Sequence, residues 1–143
     1  MNDLKDFEKN ISKITKEEWQ QLFDLIPVIS KTKVFGKLPS IKKNEDGSFQ
    51  LPNTIPSDIV QVFHSLVYDI GVVQVFDWSS WAEGSKLVSN PKTEFNKLDI
   101  KTLCMLITAI VRHDRFCDGA LVSFFENGTI LKILKALKEK VNS

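Results

Sequence analysis

Between Leu103 and Val111 the chain reads LCMLITAIV, nine residues that leave no polar face on a helical projection. A helix that is apolar all round has to be enclosed by other elements, because no side of it can face water at low cost. The run belongs to the longest helix predicted, with Asp99 as N-cap and an end near Phe116. The fold must therefore supply neighbours on every side.

Amphipathic segments able to do so occur along the whole sequence. Leu4, Phe7, Ile11 and Ile14 recur at spacings of three and four and predict a peripheral first helix within residues 1–14. Thr15 with Glu18 three positions later reads as a capping box. The helix it starts presents Trp19, Leu22, Phe23 and Ile26, and either kinks or stops near Pro27. Pro56 and Gly71 bracket a further helix with Ile59, Phe63, Leu66, Val67 and Ile70 inward. Asp77 is a candidate N-cap for a helix from Trp78, whose face carries Trp78, Trp81, Ala82, Ser85 and Val88, and residues 91–98 read as a surface loop. Gly119 breaks the central helix. A short helix with Ala120, Leu121, Phe124 and Phe125 follows, and Thr129 caps a last one carrying Ile130, Ile133, Leu134, Leu137 and Val141. Its lysines at 132, 135, 138 and 140 lie off that stripe.

Residues 31–55 lack a helical period, and there Asp46-Gly47 predicts a minor β-hairpin between Ile41 and Phe49/Leu51. The expected fold is mainly α: one compact domain over 1–143, six or seven helices packed around the 100–116 helix.

Composition removes several function classes. Nineteen basic and eighteen acidic residues leave a net charge of +1, which gives no bulk attraction for nucleic acid. The sequence has no long uncharged apolar stretch and no secretion signal, so neither a membrane span nor export is expected. Cys104 and Cys117 lie too far apart along one helix to pair, and free thiols fit a reducing, cytoplasmic setting. His64 and His113 lack the spacing of a zinc site, and no phosphate-binding glycine loop or serine elbow occurs. No metal or cofactor is expected. His64 and Tyr68, four apart with Gln61 a turn earlier, read as a pair at the edge of their helix.

Chemistry concentrates in two places. The first is RHDRFCDG, residues 112–119, at the end of the apolar helix. The projection aims Asp114 at the core, puts Arg115 on the boundary, and sets Arg112 and Phe116 on a second packed stripe. A carboxylate so placed needs a hydrogen-bonding or charged partner. A structural reading is available: the arginines cap the helix C-terminus and Asp114 fixes a neighbouring loop. The second place is Asp77-Trp78-Ser79-Ser80-Trp81. Either its residues serve their own helix, or the indoles and the arginines wall a pocket for a planar or anionic ligand.

The order F-D-W-x-x-W (Phe76, Asp77, Trp78, Trp81), then L-x-x-L-x-T-A-I-x-R-x-D-R-F-C-x-G from Leu103 to Gly119, then N-G-x-I-x-x-I-L, resembles the bacterial domain of unknown function family 6508. The resemblance covers roughly residues 15–140 and points to Asp77, Trp78, Trp81, Arg112, Asp114, Arg115, Phe116 and Gly119. It implies no activity. Asp118 stands where the family carries Glu.

Three readings remain. One is a non-catalytic binding module that grips an anionic small molecule or a protein partner through Asp77, Trp78, Trp81, Arg112, Asp114, Arg115 and Phe116. The alternative is a hydrolase or transferase for a phosphorylated or nucleotide-like substrate, with Asp77 or Asp114 as base. The third is a small interaction partner encoded beside a larger bacterial system. The sequence favours the first, since it offers aromatic and basic groups without a matched acid–base pair.

Overall fold

The computed structural model describes residues 2–37, 42–43, 45–47, 49–50 and 54–142. The apolar run lies in α6 (Ile100–Asp114), along which Leu103 to Thr108, Ile110 and Val111 are buried. Asp99 caps it as expected, its carboxylate accepting the Thr102 N–H at 2.8 Å. Hydrogen bonding from the Thr102 side chain and from its N–H holds the Asp99 carboxyl below the usual carboxylate range. Thr108, the one polar side chain of the run, is fully buried. Its hydroxyl lies 3.0 Å from the Cys104 carbonyl and 3.2 Å from that of Val72, so a single proton ties α6 to the segment after the preceding long helix.

Around α6 stand α1 (Asn2–Ile11), α2 (Lys16–Phe23), α3 (Leu25–Lys31), α4 (Asp58–Asp69), α5 (Ala82–Ser89), α7 (Ala120–Glu126) and α8 (Thr129–Val141). α1, α5, α7 and α8 contact α6 directly, while α2 and α3 lie against α8. One buried cluster runs through these helices, with α5 joining it only through half-buried Leu87 and Val88. The fold is mainly α, as the periodicity predicts, with eight α-helices among the described residues where six or seven were expected. The extra helix arises because the 15–26 segment breaks at Asp24. Pro27 then falls in the first turn of α3, where its missing N–H removes no helical bond.

The capping box is present: the Thr15 hydroxyl accepts the Glu18 N–H, and the Glu18 carboxylate accepts the Thr15 N–H. Thr129 is not a cap. Gly128, at φ 84°, holds that position, and Asn127 Oδ1 accepts the Thr129 N–H at 2.9 Å. Only glycine adopts such a backbone cheaply. Residues 91–98 are not merely a surface loop either. They contain a 3-10 turn, Phe95–Lys97, and Phe95 is buried against α8.

Two antiparallel strand pairs complete the chain. β2 (Lys42–Lys43) pairs with β3 (Phe49–Gln50), with Lys43 opposite Phe49, and Gly47 between them takes φ 90°. This is the predicted hairpin, though Ile41 and Leu51 lie outside the described residues. The second pair, β1 (Gly36–Lys37) with β4 (Ile55–Pro56), was not expected. It brings residue 54 to the C-terminal end of α6.

Candidate functional site

The end of α6 divides two cavities. α6 stops at Asp114, two residues before the expected boundary, and the chain turns through Arg115, Phe116 and Cys117 to Gly119. Gly119 adopts φ 79° and starts α7. The residues of RHDRFCDG are thereby sent in different directions.

On one side lies a polar cavity of about 440 Å³ lined by Thr54, Gln61, His64, Asp114, Asp118 and their neighbours. Its carboxylates serve the backbone. Asp114 Oδ1 accepts the Leu121 N–H at 3.0 Å, which satisfies a donor in the first turn of α7. Asp118 Oδ2 accepts both the N–H and the hydroxyl of Thr54 at 2.9 Å, and so ties the β4 end of the chain to α7. Gly119 is held close by that tie, since a Cβ there would stand 3.0 Å from the Thr54 hydroxyl. The partner that Asp114 requires is thus a main-chain amide of this chain. His64 and Tyr68 lie with ring centroids 5.1 Å apart, and the Arg112 guanidinium sits 5.9 Å above the Tyr68 ring.

The other side is apolar. A groove of about 980 Å³ runs between α5 and α6, floored by Leu106, Ala109 and Ile110 and walled by Trp78, Trp81 and Phe116. Asp77 does not cap a helix here: it accepts the Ser79 hydroxyl at 3.2 Å, Trp78–Ser80 forms a 3-10 turn, and α5 begins only at Ala82. The face read as inward on α5 accordingly lines the groove, and Ala82 and Ser85 are exposed.

Each aromatic wall has its own support. Trp81 meets Phe76 edge to face at 5.8 Å, and Phe76 meets Phe7 of α1 the same way at 5.5 Å. The Trp81 ring also covers Gly84 so closely that a Cβ there would stand 2.2 Å from it. A glycine inside a helix costs about 1 kcal/mol relative to alanine, and here it makes room for the indole. Trp78 lies 6.2 Å from the His113 ring and 6.1 Å from that of Phe116. Phe116 is 79% exposed, a position opposite to the packed stripe expected for it.

The seven residues singled out from sequence therefore do not form one site. Trp78, Trp81 and Phe116 line the groove, Asp114 lines the polar cavity, and Asp77, Arg112 and Arg115 line neither. Neither arginine ion-pairs with a carboxylate or bonds a helix carbonyl among the described residues, so the expected C-terminal capping is not made. Sequence reasoning missed Gly84, whose W-x-x-G spacing from Trp81 was the available signal, and it did not connect Thr54 with Asp118 across 64 positions. Both cysteines are free; Cys104 is buried, which pushes its thiol pKa up, and Cys117 is exposed. No group of three or more metal-ligating side chains occurs among the described residues, and no helix there is long and apolar enough to cross a membrane.

The arrangement defines a mainly helical protein with an open aromatic groove beside a polar cavity whose carboxylates hold the backbone. The chain belongs to the family of unknown function DUF6508, whose model matches residues 14–143. No curated protein and no solved structure matches it.

Proposed function

We propose that the protein is a binding module whose groove receives an apolar segment of a protein partner. The observation that carries this is Phe116, an exposed aromatic ring set beside Trp78 at the mouth of an apolar groove. Interfaces draw most of their binding energy from a few such aromatic anchors and the pockets beside them. Of the two occupants considered from sequence, an anionic small molecule has less support, because Arg112 and Arg115 stand outside the groove lining. The enzyme reading has less again. Its candidate bases are separated, with Asp77 against Ser79 and Asp114 on the Leu121 amide. Two free thiols support an intracellular setting.

A photoreactive benzophenone side chain at position 116 tests the proposal in cells, with the same group at Val75, equally exposed but outside the groove lining, as control. A discrete protein adduct at 116, absent at 75 and lost with Trp78→Ala, is the expected result. Equal labelling at both positions would overturn it.

A further inference from the structure

The chemistry of the groove restricts the partner beyond being apolar. Its lining contains no carboxylate. It does contain Lys86 on the α5 wall and His113 on the α6 wall, with Arg115 exposed just beyond His113. None of these three ion-pairs with a carboxylate among the described residues. Of the acidic groups nearest in sequence, Asp77 accepts the Ser79 hydroxyl, Asp114 accepts the Leu121 amide in the polar cavity, and Glu83, three residues before Lys86 on α5, is exposed, outside the lining and not ion-paired with it. An apolar trough with an unpaired lysine on one wall and an exposed, unpaired arginine next to Phe116 complements a ligand that is apolar on one face and acidic beside it.

Length points the same way. α5, which forms one wall, has eight residues and is therefore about 12 Å long, the length of roughly two turns of a helix laid beside it. A helix laid into a groove of that length presents anchors at positions i, i+3 or i+4, and i+7. Such a helix would bring its ends and flanks to Lys86 and His113 while its apolar face meets Trp78, Trp81 and Phe116.

Resting on the groove reading above, we infer that the partner segment is an amphipathic helix with Asp or Glu flanking its apolar anchors. The net charge of the whole chain is only +1, so discrimination between acidic and basic partners has to come from these local groups and not from bulk attraction.

A selection separates this inference from the reading beneath it. A phage-displayed library of 14-residue helices with fixed Leu/Phe anchors and random flanking positions is panned on the full chain, and clones are retained only if Phe116→Ala abolishes binding. Enrichment of Asp and Glu over Lys and Arg at the flanks is the expected result. A selected acidic peptide should then bind about tenfold more weakly to Lys86→Glu, a loss that shrinks as salt screens the pair. Phe116-dependent binders with no acidic bias, or a basic one, overturn the inference and leave the groove reading standing. Absence of any Phe116-dependent binder overturns both. A dimer of the chain itself that Phe116→Ala dissociates would make a second copy the occupant and overturn the acidic helix.

Discussion

The two cavities beside the end of α6 have opposite economies. In the polar cavity the side chains that look reactive in sequence are engaged: Asp114 holds the start of α7, and Asp118 holds Thr54. In the groove the aromatic rings are supported from behind, by Phe76 and Gly84, and open in front. Charge near the end of α6 therefore marks ties within the chain. The proposed partner site rests instead on uncovered apolar surface beside Lys86.

Substitutions can break that contrast, and the largest effect is expected in the polar cavity. Asp114→Ala strands the Leu121 amide and should cost about 1–2 kcal/mol in urea unfolding, with Asp114→Asn recovering much of it by keeping an acceptor. If Asp114→Ala left stability unchanged, the carboxylate would be free for another task. Next, Gly84→Ala should gain up to about 1 kcal/mol of helix propensity and lose it again by displacing the indole. The decisive signal is a changed Trp81 emission with groove binding weakened. Asp99→Ala should cost about 1 kcal/mol at neutral pH as the loss of an N-cap. Because the folded Asp99 carboxyl has its pKa lowered, its contribution is full above the usual carboxylate range and is lost as pH falls through the folded value. The wild type and Asp99→Ala should therefore converge in acid, and chemical denaturation at several pH values checks it. The smallest stability effect belongs to Phe116→Ser, within about 0.5 kcal/mol of wild type, since the ring is exposed. A large drop in its melting temperature would move Phe116 from the partner to the fold.

What was legible in the sequence divides by distance along the chain. The capping box of Thr15 and Glu18 and the cap at Asp99 act over three residues, and both stand as read. The buried character of α6 was legible because nine consecutive letters leave its projection no polar side. Asp114 was aimed at the core but is half-buried and lines the polar cavity, and its partner depended on the left-handed turn at Gly119 that brings Leu121 back. The Thr54–Asp118 tie and the β1–β4 pairing join residues far apart, and no local pattern announces them. Trp78 and Trp81 were read as belonging to one helix. A 3-10 turn there rotates them away from the helical projection and onto the groove.

The chain of rings from Phe7 through Phe76 to Trp81 starts outside the span that the family model matches. Phe7 is 1% exposed, so α1 closes the back of the wall whose front lines the groove. The stretch that sequence kinship recognises is thus shorter than the unit that has to fold to shape the groove. A version trimmed to residues 14–143 would keep every side chain that lines the groove and lose the buttress behind Trp81.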